Sequence, residues 1–142
     1  MNYEQDIIID ESALDIEWID QASLALKYGR HWAVCRQELQ QAEENIKLVR
    51  AELVKEAFAD AEEIFGNPKP TAPAIESYYR THHKHIQAKK DWVEAQFESN
   101  VAEIAYKEIS YARKSALENL VKLHGQQYFA GPSVPRNIEE EV

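Results

Sequence analysis

The stretch CRQELQQAEENIKLVRAELVKEAFADAEEI, residues 35–64, decides the fold of this chain. Apolar and small side chains recur in it at steps of three and four residues, at Cys35, Leu39, Ala42, Ile46, Val49, Leu53, Ala57, Ala61 and Ile64. Such steps approximate a heptad seam, the pattern of a helix that packs along its length against another helix. We therefore expect a long helix from about residue 31 to residue 65, with a partner along its seam.

The residues before this stretch predict an earlier helix start. Asp10 to Ser12 is a candidate N-cap region, so we expect a helix to begin near residue 12. The β-prone run Ile7 to Ile9 before it predicts a short extended segment. Gly29, the only glycine before Gly66, is a candidate kink or break.

The residues after the seam predict a turn and a second helical arm. Gly66 to Pro73 contains three prolines, which end a helix. From about residue 74 to residue 123 an apolar stripe returns at Ile86, Val93, Phe97, Val101, Ile104, Ala112, Ala116, Leu120 and Leu123. The expected fold is all-α: a short extended N-terminal segment, then long helices forming an antiparallel hairpin. Two arms bury little surface, so we expect a homo-oligomer. Residues 1–130 form one predicted domain, and residues 131–142 an acidic, disordered tail.

The net charge of −9 is unevenly distributed along the sequence. Residues 1–20 contain seven Asp or Glu and no Lys or Arg, whereas residues 21–130 contain fifteen of each sign. Residues 131–142 hold three Glu and one Arg. The body of the chain is therefore neutral, and a basic stripe on it is compatible with a polyanionic partner.

Several functional classes are excluded by the sequence. The glycines at 29, 66, 125 and 131 stand alone, so neither a Walker loop nor a dinucleotide fingerprint is present. No histidine has a glutamate three residues before it, which excludes a ferritin-like di-metal bundle. We expect no enzyme, cofactor or metal site. A single cysteine, no signal peptide and no long apolar run predict a cytoplasmic protein without a membrane segment.

Two pairs of side chains were candidates for chemistry and favour structural roles instead. His82 and His85 share a helix face, but Arg80 and Lys84 beside them would repel a cation. Cys35 lies one helical turn from His31, in the arrangement of an activated nucleophile. Its position in the apolar seam favours packing over catalysis.

The most basic and aromatic stretch is YYRTHHKHIQAKK, residues 78–90, which has no carboxylate. Cations that neutralise phosphates and flat rings on which bases stack are the two components of sequence-tolerant single-strand binding. On one helix Arg80 and Lys84 would align, and basic residues of the first arm would approach them across the hairpin. The candidate nucleic-acid-binding residues are Lys47, Arg50, Lys55, Tyr79, Arg80, Lys84, Lys89 and Lys90.

Three segments together, DIIIDESAL (6–14), ALKYGRHW (25–32) and QELQQAEENIKLVRAEL (37–53), resemble the phage recombination mediator family typified by UvsY. The likeness covers about residues 6–60. It implies a small, non-catalytic helical protein in the host cell cytoplasm that forms a ring-like homo-oligomer. Such a protein binds single-stranded DNA and helps a RecA-like recombinase replace single-strand-binding protein. Basic residues late in the long helix contact DNA in that family, and Lys47, Arg50 and Lys55 match them, although Glu52 and Glu56 intervene.

Two other functions are compatible with the sequence. A helical scaffold or adaptor would use its seams for protein partners and would bind no nucleic acid. An inhibitory or mimic module would present the acidic segment from Glu4 to Asp20 to a basic partner. Single-strand binding separates the mediator from the scaffold, and deletion of residues 1–20 separates it from the mimic.

Overall fold

A computed structural model describes residues 1–126, and within that range the chain is all-α, as predicted, with no strand. The elements are α1 (Tyr3–Asp6), a 3-10 turn (Glu11–Ala13), α2 (Leu14–Ala59), α3 (Ala61–Phe65), α4 (Ala72–Thr81), α5 (His83–Lys107), a π-helix (Glu108–Arg113) and α6 (Lys114–Gly125). The predicted disordered tail at 131–142 lies outside the described residues. Among residues 1–126, no helix combines the length and apolar character that crossing a membrane requires.

The chain divides into two compact units. Unit 1 contains Met1–Arg30 and the described residues from Glu103 onward, and unit 2 contains His31–Ala102. Each unit is described below by itself. The single domain over residues 1–130, the full antiparallel hairpin and the homo-oligomer remain predictions.

The N-terminal segment is only partly extended, in contrast to the sequence prediction. Tyr3–Asp6 forms a helical turn capped by the Asn2 side chain, and Ile7 keeps a helical backbone (φ −78°, ψ −19°). Helical structure begins near residue 12 as predicted, but the 3-10 turn Glu11–Ala13 leads directly into α2, so no separate helix precedes the long one. Asp10 caps this turn, accepting hydrogen bonds from the Ser12 backbone N–H at 2.9 Å and the Ser12 hydroxyl at 2.6 Å.

Gly29 does not break α2, which runs unbroken from Leu14 to Ala59. A Cβ at Gly29 would lie 3.2 Å from the Tyr106 ring, so this glycine permits close packing and not a kink. The long helix ends earlier than the predicted residue 65. Asp60 interrupts it, and the short helix α3 ends at Gly66, whose φ of 65° is the left-handed conformation typical of a helix C-terminus.

Unit 1 is held together by an apolar cluster and a buried guanidinium group. Tyr28, Ala105 and Ile109 form the cluster. The Arg113 side chain, 4% exposed, forms an ion pair with Glu17. Arg113 also donates hydrogen bonds to the backbone carbonyls of Asp6 (3.0 Å) and Ile8 (3.2 Å) and to the side-chain oxygen of Gln21 (2.6 Å). The N-terminal segment is thereby attached to the last helices of the chain.

The π-helix Glu108–Arg113 keeps one side of this helical run buried. Ala105, Ile109, Arg113 and Leu117 are all buried and follow one another at steps of four residues. In an α-helix each four-residue step rotates a side chain by about 40° from its predecessor. Because a π-helix has wider turns, with i to i+5 hydrogen bonds, it takes up part of that rotation.

Unit 2 buries small side chains where large ones were expected. Within this unit the predicted apolar stripe of the second arm is wrong, because Ile86, Val93, Phe97 and Val101 are exposed. Of its members in unit 1, Ile104, Ala112 and Ala116 are exposed, whereas Leu120 and Leu123 are partly buried. The buried side of α5 in this unit consists of His85, Ala88, Ser99 and Ala102. Small residues permit helices to approach closely, which the size of the apolar side chains alone does not predict.

The seam of the first arm is confirmed most clearly at Cys35 and from Leu53 to Ala61. Cys35, Leu53, Ala57 and Ala61 are buried, whereas the seam residues between Cys35 and Leu53 are partly buried and Ile64 is exposed. The Trp92 indole N–H donates a hydrogen bond to the Glu43 carboxylate at 3.4 Å. The α2 and α5 segments of this unit are therefore neighbours.

Candidate nucleic-acid interface

A helix break at His82 divides the basic, aromatic stretch. Helix α4 ends at Thr81, whose hydroxyl donates a hydrogen bond to the Ser77 carbonyl at 2.7 Å. His82 then has an extended backbone (φ −71°, ψ 136°), and its Nδ1 accepts a hydrogen bond from the Lys84 backbone N–H at 3.2 Å. Arg80 and Lys84 thus belong to different helices. The predicted alignment of these two residues on one helix is wrong, because the extended residue redirects the chain between them.

An open groove of about 870 Å³ lies within unit 2. Five of the predicted nucleic-acid-binding residues line it: Arg50, Tyr79, Arg80, Lys89 and Lys90. Its other lining side chains are Ile46, His85, Ile86, Val93, Glu94 and Phe97. The site therefore combines a basic rim with an apolar, partly aromatic floor and a single carboxylate. We call it the basic groove.

The charges of the groove act on the buried His85. Desolvation lowers the pKa of this imidazole from 6.5, and the positive charges of Lys89, Arg50 and Arg80 lower it further. Cations from α2, α4 and α5 therefore produce a positive field at one place. Arg80 forms an ion pair with Glu76 at 3.0 Å, but both side chains are at least half exposed, so this pair is weak.

Three predicted residues, Lys47, Lys55 and Lys84, do not line the groove. Lys47 forms an ion pair with Glu44 at 2.8 Å, and the hydrogen bond that its ammonium donates to that carboxylate raises the pKa of Lys47. Lys55 and Lys84 are exposed. The basic residues of α2 singled out from the sequence are therefore not one group, since only Arg50 belongs to the groove.

The aromatic rings of the stretch divide between packing and the groove. Tyr78 makes edge-on contacts with Phe65 and His82, with ring centroids 5.9 and 5.8 Å apart, so it packs within the protein. Tyr79 lies edge-on to His85 at 5.5 Å and lines the groove. Phe97, which is 63% exposed, is a groove residue that the sequence analysis placed in a buried stripe. Phe97 follows Lys90 by seven residues, a spacing that places both on one helix face. This spacing is the sequence signal for Phe97 as a groove residue.

Cys35 has the properties of a packing residue. Its Sγ lies 3.7 Å from the His31 Nε2. Burial, and then the charges of Glu38 and Glu98, raise the pKa of the Cys35 thiol. A thiol with a raised pKa is a poor nucleophile near neutral pH. Within residues 1–126, no three His, Cys, Asp or Glu side chains are grouped as a metal site would require.

The basic groove is thus the feature of unit 2 that brings most of the predicted residues together. Its cations and its Tyr and Phe rings are contributed by three helices, and all of them except the partly buried Tyr79 are exposed. Comparisons with protein-family models, curated proteins and solved structures find no match for this chain.

Proposed function

We propose that this protein is a single-stranded-DNA-binding recombination mediator. The observation that supports it is the grouping of Arg50, Arg80, Lys89 and Lys90 with Tyr79 and Phe97 around one open groove. The rim cations would neutralise phosphates, and the rings would stack on bases without reading their sequence. The protein supplies no catalysis and needs no cofactor for this role.

The mediator part of the proposal rests on the family resemblance together with the modest size of the groove. A few cations and rings per subunit bind a strand weakly, and several subunits of a homo-oligomer, such as a ring, bind it firmly by multivalency. A strand held by many weak contacts is easily transferred. We infer that the protein hands single-stranded DNA to a RecA-like recombinase in place of single-strand-binding protein, in the cytoplasm of the host cell.

The first test is fluorescence anisotropy of a labelled single-stranded oligonucleotide, titrated with the protein at several salt concentrations. Binding should weaken with salt, with a slope in log K of about −0.7 for each neutralised phosphate. Lys89→Ser with Lys90→Ser should reduce that slope by about 1.4, since two phosphate contacts are lost.

The matched control is Lys55→Ser with Lys84→Ser, which removes the same charge from exposed positions that do not line the groove. This control should retain most of the affinity. Equal losses in the two double variants would show that overall charge, and not the groove, binds the strand.

A helical scaffold or adaptor is the second candidate function. The exposed apolar side chains of Ile86, Val93, Phe97 and Val101 favour it, because an apolar helix face is a common docking surface for another helix. A scaffold would produce no anisotropy change with the oligonucleotide even at about 50 mM salt, conditions under which phosphate contacts are strongest.

A further inference from the structure

We propose that, when no strand is bound, the basic groove is covered by an acidic, apolar face at the start of α2 in a second copy of this chain. This acidic face consists of Glu11, Asp15, Ile16, Ile19 and Asp20. The self-contact would close the DNA site of one copy until a strand displaces its neighbour. The displacement by a strand rests on the proposed function, whereas the self-contact does not.

The acidic face exposes aliphatic side chains that unit 1 leaves uncovered. Ile16 is 57% exposed and Ile19 is 74% exposed, and their spacing of three residues places them on one side of the helix. Leu26, seven residues after Ile19, is also exposed on that side. Exposed aliphatic side chains grouped on a helix face mark an interaction surface more often than isolated ones do.

The charges around Ile16 and Ile19 have one sign, whereas Lys27 and Arg30 flank Leu26. The first 26 residues contain no Lys or Arg. Glu11, Asp15 and Asp20 are exposed and form no ion pair within the part of the chain that the structure describes. Their carboxylates are therefore available to cations of another molecule.

The basic groove has the complementary character. Val93 is 58% exposed on its floor, beside Phe97 and Ile86, so an aliphatic side chain would find apolar partners there. The rim carries Lys89 and Lys90 on α5, where carboxylates of the acidic face would find cations. Both surfaces belong to the same sequence, so a second copy is always present as a partner.

A contact between two different surfaces of identical chains is heterologous. It is separate from the contacts of a homo-oligomer that holds the strand, because the strand displaces it. The contact is also expected to weaken with salt because it pairs opposite charges. Single-stranded DNA would compete with it, since both occupants use the cations of the groove.

Charge exchange in the full-length protein tests this contact. Sedimentation velocity over a concentration series measures the self-association constant at low and high salt. Asp15→Lys with Asp20→Lys should weaken association at least tenfold, and so should Lys89→Glu with Lys90→Glu. Combining all four substitutions restores opposite charges and should return the constant to within about threefold of the original.

The control for added positive charge is Glu62→Lys with Glu63→Lys, at exposed positions in α3. This variant should associate like the unaltered protein. Circular dichroism verifies the fold of every variant. If Asp15→Lys with Asp20→Lys unfolds the protein, Ile19→Ser replaces it as the variant that disrupts the acidic face. The proposal is overturned if neither charge exchange changes the association constant, or if the combined variant does not recover it. It is also overturned if the sedimentation coefficient does not depend on concentration.

Anisotropy at protein concentrations above the association constant tests the competition. Asp15→Lys with Asp20→Lys should bind the oligonucleotide more tightly than the Glu62 and Glu63 control does. If no variant binds the strand but charge exchange still governs association, the DNA function is wrong and the self-contact is correct. If the strand binds and the acidic face affects neither association nor affinity, the self-contact is wrong and the DNA function stands.

Discussion

Arg113 of unit 1 and the two groove arginines of unit 2 lie in opposite environments. In unit 1 Arg113 is buried, and four acceptors from the N-terminal segment and α2 take up its donors. In unit 2 Arg50 and Arg80 remain at the surface beside a groove. A buried guanidinium with four of its five donors in hydrogen bonds stabilises the fold, whereas one that faces solvent is available for a ligand. Burial and partners, and not residue type, therefore separate the structural cation Arg113 from the cations that we propose to bind DNA.

Removing the buried guanidinium should cause the largest loss. Arg113→Ala would leave Glu17, Gln21 and two backbone carbonyls without their donor, which we expect to lower the free energy of unfolding by about 3–5 kcal/mol. Urea unfolding followed by circular dichroism measures it. Lys107→Ala, which breaks an exposed pair with Glu103, should cost less than about 1 kcal/mol. A similar loss in both variants would contradict the distinction between buried and exposed cations.

Unit 2 should respond most strongly to loss of apolar volume. Leu53 is 1% exposed, so Leu53→Ala should lower the free energy of unfolding by about 2–4 kcal/mol through lost burial and a cavity. Leu48 lies on the same helix but is 58% exposed, and Leu48→Ala should change it by less than about 0.5 kcal/mol. Thermal unfolding of the two variants checks the pair. Equal effects would mean that the seam of α2 is not the buried side.

The pH dependence of stability should involve Tyr28 of unit 1 on the alkaline side. Desolvation, followed by the hydrogen bond to Asp6 at 2.9 Å, raises the pKa of Tyr28 to about 12. Since the folded state holds this proton more tightly than the unfolded state, its contribution is complete below pH 10 and is lost as pH rises from 10 to 12. We expect a loss of about 1–2 kcal/mol over that range.

Tyr28→Phe isolates this effect, because it leaves the raised pKa values of Tyr3 and Tyr78 in place. Urea unfolding at pH 8, 10 and 11.5 should show a shallower alkaline decline in the variant than in the unaltered protein. Parallel declines in the two proteins would show that Tyr28 is not responsible.

The smallest expected difference separates two glycines, Gly66 at the end of a helix and Gly29 inside one. Gly66→Ala in unit 2 meets no atom within 4 Å, so its cost of about 1 kcal/mol would come from the left-handed backbone alone. Gly29→Ala in unit 1 gains helix propensity but approaches Tyr106 at 3.2 Å, and these effects should offset to within about 0.5 kcal/mol. Differential scanning calorimetry resolves the two. A larger loss at Gly29 would mean that the Tyr106 ring cannot move aside.

The sequence predicted the features that follow from chain-local chemistry. The all-α class, the seam through Leu53 and a helix end before the segment Gly66 to Pro73 depend on periodicity and on proline, and all three were predictable. The groove was half predictable, since the basic and aromatic residues of α4 and α5 are close in sequence. Arg50 lines the groove and Lys47 and Lys55 do not, a difference that depends on how the helices face each other.

The incorrect predictions concern features that depend on contacts between residues distant in sequence or that have no local sequence signal. Large apolar side chains such as Phe97 were assigned to the interior, but Ala88, Ser99 and Ala102 occupy it because small residues permit closer helix packing. The break at His82 occurs without proline or glycine, so no local signal marks it. A buried Arg113 is predictable only once its distant acceptors are known, and they are supplied by residues 6–21.

The π-helix at Glu108–Arg113 also determines how insertions and deletions act on this chain. Its wider turns hold more residues per turn than an α-helix, so removing one residue inside it would favour an ordinary α-helix and leave α6 facing nearly as before. Leu117 would then follow Ile109 by seven positions, a spacing that keeps both residues on one side of an α-helix. A single-codon deletion within α6 itself would instead rotate every later residue by about 100°.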